Sequence, residues 1–145
     1  MKRIPEGQTI ALDTMVFIYH LEDHPGFSAI TERLLDGIEK EKYRAVTSYI
    51  TLLEILVKPK RDGLNKAVTD YRDLLLTFPN LRFIPVGKQV ADIASTLRAK
   101  YGIRTPDAVQ IATALSEGAK VFVTNDSQLK KVAEIQVVLL EELRR

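Results

Sequence analysis

Short apolar runs alternate along the chain with longer stretches in which apolar residues recur every third or fourth position. Ile10-Ala11-Leu12 ends a run over residues 8–12 that fits a buried strand. Residues 14–21 read as a short helix that breaks before Pro25. Phe27, Ile30, Leu34, Leu35 and Ile38 keep helical spacing and predict a second helix to about Lys42. Residues 44–47 form a brief strand, and Ser48 is a favourable cap for a helix over residues 49–57. Lys58-Pro59-Lys60-Arg61-Asp62-Gly63 reads as a turn. Val68, Tyr71, Leu74, Leu75 and Phe78 mark a helix ended by Pro79-Asn80, and residues 81–86 alternate as a strand does. Val90, Ile93, Ala94, Leu97 and Tyr101 share a helical face closed by Gly102. Thr105-Pro106 opens the next helix, with Thr105 as cap and Pro106 at the first helical position, and Gly118 stops it. Residues 121–123 are a strand, 127–133 a short helix and 136–140 a last strand, and residues 141–145 form a frayed, charged end.

Strands separated by helices predict a mainly parallel sheet covered on both faces. No repeat, low-complexity tract or linker divides the chain, so residues 1–145 read as one domain. A hydrophobic content of 46% excludes a disordered chain. A domain of about 150 residues buries roughly two-thirds of its unfolded surface. No cysteine is present, which excludes a disulfide framework and a thiolate zinc site. Met1-Lys2-Arg3 is basic, but Glu6, Gln8, Thr9 and Asp13 interrupt the apolar core that a signal peptide needs. The apolar runs are far shorter than the ~20 residues that span a bilayer. A soluble, cytoplasmic protein is expected, without a membrane role. Asn125-Asp126-Ser127 fits a glycosylation acceptor, a pattern without weight when no export signal precedes it.

Several chemistries are absent. There is no Gly-rich dinucleotide fingerprint, and Gly87-Lys88 is followed by Gln89, so there is no P-loop. No Gly-x-Ser-x-Gly elbow occurs. His20 and His24 are four apart, but Leu21 follows the first histidine and His24 sits before a helix-breaking proline, so they are not the zinc-protease pattern and read as solvated residues at a helix end. What remains is acidic. Glu54 interrupts the apolar segment Leu52-Leu53-Glu54-Ile55-Leu56-Val57. Either it faces solvent while Leu53, Leu56 and Val57 face the core, or it is a buried carboxylate that needs a partner or a cation. Asp13, Asp107 and Asp126 each have a capping explanation at a helix start. Together they mean more. Asp13 and Asp126 follow strands, Glu54 lies about two turns into the helix after another strand, and Asp107 opens a helix running the same way. Ligand sites of open parallel sheets lie outside the carboxyl ends of the strands, so two or three of these carboxylates, or all four, should converge there. Converging carboxylates call for a hard divalent ion, Mg2+ or Mn2+, whose usual substrates are phosphates.

These residues resemble a known family. Leu12-Asp13-Thr14, Ser48 with Leu53-Glu54-Ile55, Thr105-Pro106-Asp107-Ala108-Val109-Gln110-Ile111-Ala112-Thr113-Ala114 and Val123-Thr124-Asn125-Asp126-Ser127-Gln128-Leu129 match, in order and spacing, the pattern of the PIN-domain ribonucleases. The size resembles the VapC-type toxins of toxin–antitoxin pairs. The resemblance implies an α/β/α sandwich, with a parallel sheet of about five strands. It implies that Asp13, Glu54, Asp107 and Asp126 form the catalytic, metal-binding acidic cluster, flanked by the hydroxyls of Thr14, Ser48 and Thr124. The implied activity is Mg2+-dependent hydrolysis of single-stranded RNA by water, leaving a 5′-phosphate and a 3′-hydroxyl. A homodimer inhibited by a cognate antitoxin is the implied assembly. A processing ribonuclease outside any toxin–antitoxin pair and a non-catalytic PIN binding module are the alternatives within the family. A phosphoacceptor receiver module would need paired acids after the first strand and a lysine after the last, and neither is present.

Charge then reads differently. The 21 basic and 19 acidic side chains give +2, which by itself argues against a nucleic-acid protein. If four acids are neutralised in one pocket, 15 remain against the 21 basic residues, a surface of +6. Lys58, Lys60 and Arg61, then Arg98, Lys100 and Arg104, then Lys130 and Lys131 flank the proposed site as candidate RNA-phosphate contacts. Tyr19, Tyr49 and Tyr101 are candidates for stacking on bases, although packing roles explain each as well.

Overall fold

A computed structural model of the chain describes residues 4–144. The basic start Met1-Lys2-Arg3 and the final Arg145 lie outside the described residues. In chain order the elements are β1 (Thr9–Leu12), α1 (Thr14–Leu21), α2 (Ser28–Glu39), β2 (Arg44–Ser48), α3 (Tyr49–Arg61), α4 (Asn65–Leu76) and β3 (Leu81–Ile84). There follow α5 (Lys88–Tyr101), α6 (Thr105–Ser116), β4 (Val121–Thr124), a 3₁₀ helix (Ser127–Lys131), β5 (Gln136–Leu139) and a second 3₁₀ helix (Leu140–Leu143). The five strands form one sheet in the order β3-β2-β1-β4-β5, and every neighbouring pair is parallel.

Alternation along β1 builds two cores. Ile10 and Leu12 turn to one face and pack with Val16, Phe17, Ile30, Leu34 and Ile38. Ala11 turns to the other and packs with Val46, Leu97, Ile111 and Phe122. Helix α6 meets β1 and β2 through Ala108 and Ala112, both fully buried, whose small side chains permit a close approach. Helices thus cover both faces, as the spacing predicts for an α/β/α sandwich. After β3 the chain crosses the sheet to add β4 on the far side of β1. The strand order therefore reverses between β1 and β4, and the topological crevice of such a sheet is the space outside their carboxyl ends. Among the described residues no helix is long and apolar enough to cross a membrane.

Element boundaries depart from the sequence pattern where tertiary packing overrides local signals. Helix α3 does not stop for a turn at Lys58 but runs through Pro59 to Arg61. Thr51, Ile55 and Pro59 recur every four residues and are all buried, so the apolar stripe carries the helix through its proline. Leu53 and Val57 do not face the core and are 60% and 43% exposed. Helix α2 ends at Glu39, short of Lys42, where Asn80 Nδ2 donates to the Ile38 and Glu39 carbonyls. The cap of α6 is Arg104 and not Thr105. The strand expected over residues 81–86 ends before Pro85, and the helix expected over 127–133 is a 3₁₀ turn. Residues 141–144 are tethered, not frayed: Arg33 Nη2 donates to the Leu143 carbonyl at 2.9 Å and Arg144 Nη2 to the Gly26 carbonyl at 2.7 Å. His24 is not simply solvated, because its ring lies against Tyr19 and Phe27 and its Nδ1 accepts from the Gly26 N–H.

Candidate active site

Asp13 leaves the end of β1 and caps α1. Its backbone N–H donates to the Val123 carbonyl at 2.9 Å, which locks the strand end against β4. One carboxylate oxygen accepts from the Thr14 N–H at 2.8 Å and the other from the Thr124 hydroxyl at 2.7 Å. Burial nonetheless pushes the Asp13 pKa up to about 6, and the charges of Asp107 and Glu54 push the same way. Asp13 forms no ion pair among the described residues, and its two bonded donors are neutral.

Asp107 lies in the first turn of α6 and is 7% exposed. Its Oδ2 accepts from Arg104 Nε at 3.1 Å. The Arg104 charge is stabilised first by this contact with Asp107, then by the fields of Asp126 and Glu54. Arg104 itself is 77% exposed and free to leave.

Glu54 lies on the exposed side of α3, so the solvent-facing reading of this residue is correct and a buried lone carboxylate is not what the fold contains. Yet it also reaches the residue beside Asp13, where its Oε1 accepts from the Thr14 hydroxyl at 2.7 Å. Asp126 caps the first 3₁₀ helix, accepting from Gln128 N–H at 2.9 Å, while its own N–H donates to Thr124 Oγ1 at 3.2 Å.

Asp107 and Glu54 are thus brought within electrostatic reach of Asp13, and Asp126 within electrostatic reach of Arg104. As the side chains stand, no three acidic or histidine groups among the described residues close on a single point. The donor set is nonetheless all oxygen and under-neutralised, which is the chemistry of a hard cation held by one or two carboxylates and waters.

The residues that make this crevice fall within a segment, 10–135, that matches the PIN domain family model. The chain belongs to the PIN domain family. No curated protein matches it significantly. Solved structures do. VapBC2 from Rickettsia felis, bound to a DNA fragment from their promoter, is similar over 90% of this chain and 98% of that one, at 19% identity and a TM-score of 0.73. A toxin–antitoxin complex from Klebsiella pneumoniae is similar over 90% and 97%, at 22% identity and a TM-score of 0.68. DNA-bound VapBC from Salmonella typhimurium is similar over 92% and 98%, at 23% identity and a TM-score of 0.65.

Other residues singled out in the sequence fall less centrally in this PIN domain. Ser48 caps α3 through a bond from the Ile50 N–H and is not bonded to a carboxylate among the described residues. Lys58 pairs with Glu22, Lys100 with Glu134 and Lys130 with Glu142, while Arg98 donates to the Ile103 carbonyl. Lys60 and Arg61 are exposed at the end of α3. Of the basic set, Arg104 is the one with a described bond to the acidic group. Tyr19 stacks on Phe27, and Tyr101 binds Glu134 through its hydroxyl. Sequence reasoning missed Gln110, Thr47 and Thr51, which form a buried polar network beneath the carboxylates. Gln110 was visible as the one amide inside the apolar run from Ala108 to Ala112.

Proposed function

We propose that this PIN domain, spanning residues 1–145, is a Mg2+- or Mn2+-dependent endoribonuclease acting on single-stranded RNA, and that it is the toxin of a toxin–antitoxin pair. The observation that carries the reading is the Asp13–Glu54–Asp107 group in the crevice between β1 and β4, with Asp13 raised toward neutrality and without an ion pair among the described residues. When bound, a divalent cation supplies charge neutralisation, a polarised phosphoryl oxygen and a more acidic water. Asp13, Glu54 and Asp107 would hold it, with Asp126 contributing. Thr14 and Thr124 fix the carboxylates that they touch. Arg104, once it releases Asp107, is long enough to take an RNA phosphate. The similarity to toxin–antitoxin complexes supports an antitoxin partner. Exposed Leu53 and Val57 on α3, with Leu64, Leu74 and Leu76 on or beside α4, offer apolar surface for that partner or for a second copy.

Labelled single-stranded RNA should be cut with Mg2+ or Mn2+ present, leaving 5′-phosphate ends. Chelator, Asp13→Asn or Asp107→Asn should each abolish cutting. Cleavage that survives both substitutions would remove the site from the mechanism. Growth arrest on expression, relieved by a small protein encoded next door, separates a toxin from a processing ribonuclease.

A further inference from the structure

The largest polar side chain buried beneath the carboxylates is a carboxamide. Gln110 is 2% exposed and stands about one turn beyond Asp107 on α6. Its Oε1 accepts from the Ser48 N–H at 3.3 Å. Its Nε2 donates to Thr51 Oγ1 at 2.7 Å and to Thr14 Oγ1 at 3.2 Å. A backbone N–H can only donate, so Ser48 fixes which end of the amide faces which way.

Proton counting then orients the whole network, because each hydroxyl has one proton to give. Thr47 gives its proton to the Leu12 carbonyl at 2.8 Å. Thr51, 2.7 Å from Thr47, therefore donates to Thr47 and accepts from Gln110. Thr14 likewise accepts from Gln110, which leaves its own proton for Glu54 Oε1 at 2.7 Å. The contacts left without a proton are Thr14 to Thr51 at 3.1 Å and Thr47 to Gln110 Oε1 at 3.4 Å, both longer than the bonds assigned among the hydroxyls.

We infer that Gln110 is a positioning residue of the acidic site, holding the Thr14 proton on Glu54 and so keeping an exposed, otherwise free glutamate beside Asp13. An exposed glutamate on a helix samples several rotamers, and a single directed bond from a rigid, buried donor selects one of them. The inference rests on the reading of Glu54 as part of a cation-holding group.

The test is Mn2+ binding by titration calorimetry, without RNA. Gln110→Glu keeps the size and the acceptor for Ser48 but replaces the donor, so Thr14 must turn its proton inward. Gln110→Glu, Gln110→Met and Thr14→Val should each weaken Mn2+ binding about tenfold or more. Thr14→Ser, which keeps the hydroxyl, should restore it. In a Glu54→Ala background, where Thr14 has no acceptor left at residue 54, the Gln110 substitutions should cost nothing further, because the relay has already lost its end. Full additivity in that background, or unchanged affinity in the single variants, overturns the inference and leaves Gln110 as mere packing. A second measurement needs no change at residue 110. Glu54→Ala, on an exposed side chain, should shift the Gln110 side-chain amide signals in an NMR spectrum and speed exchange of the Thr14 hydroxyl proton. Signals indifferent to Glu54→Ala also overturn it. A wild-type protein that binds no Mn2+ instead sinks the proposed function, and the NMR result then judges the network by itself.

Discussion

Asp13→Asn separates the cost of the acidic group from its use. The carboxyl of Asp13 is held at about 6, against 3.8 for an ordinary aspartate, and burial is the main cause. Between those values the folded chain binds a proton that the unfolded chain has lost. Stability contributed by this residue is therefore present below about pH 4 and is lost as pH rises through 6. The shift of roughly two units corresponds to about 3 kcal/mol of strain in the ion-free protein at pH 7.5. Asparagine keeps the acceptor for the Thr14 N–H, and the Thr124 hydroxyl can turn to accept from its amide. Most of that strain should therefore disappear, and the apo variant should unfold about 5–10 °C above the wild type at pH 7.5. The assay is thermal unfolding in chelator at pH 7.5, 6 and 4.5, repeated with Mg2+. The gap should shrink steadily toward pH 4.5, and Mg2+ should stabilise the wild type much more than the variant. A variant no more stable than wild type in chelator at pH 7.5, or a gap that ignores pH, would falsify the account of Asp13 as a strained carboxylate.

Further outcomes follow from particular contacts. Arg104→Ala removes the group that occupies Asp107, so Mn2+ should bind several-fold more tightly by calorimetry, while RNA binding weakens in a filter assay; unchanged metal affinity means that Arg104 does not compete. Because Arg104 is mostly exposed, the apo stability of that variant should change by less than about 1 kcal/mol. Thr124→Val removes the donor to Asp13 and should cost about 1–2 kcal/mol at pH 7 in urea unfolding, with a smaller loss at pH 4.5. Pro59→Ala returns an N–H to the interior of α3 and gives up some buried surface, so a net gain of about 1 kcal/mol is expected; a net loss would mean that the proline's packing outweighs its helix penalty.

Much of this was legible in the chain because the strands are short, apolar and separated by helices with clear periods. Gly102 ends α5 in the left-handed conformation that its identity announces, and Ser48 and Asp13 cap the helices that they precede. Pro59 misled because local signals stop at proline, whereas the helix continues on a stripe that only the packed layers reveal. Around Glu54 the sequence left two readings open, because an apolar neighbourhood in sequence is not one in space: Leu53 and Val57, expected to face the core, are exposed with it. The pairing of Arg104 with Asp107 is a three-residue relation on one helix start, readable in hindsight from helical geometry. The Gln110 network is not, because Thr14, Thr47, Thr51 and Gln110 come from four different elements and meet only when the sheet and both helical layers are assembled.

That dependence on assembly has a consequence for when the site exists at all. Asp13 begins a helix on one face of the sheet, and Asp107 begins a helix on the other. The bond that steadies Asp13 comes from Thr124, 111 residues further along the chain. A polypeptide still emerging from the ribosome has made Asp13 and Glu54 long before β4 can dock beside β1. Until it does, the central strand has an open edge and the carboxylates have no crevice to share. The acidic group is therefore timed by the chain itself: it is assembled only once β4 has docked beside β1, and any opening of either layer takes it apart again.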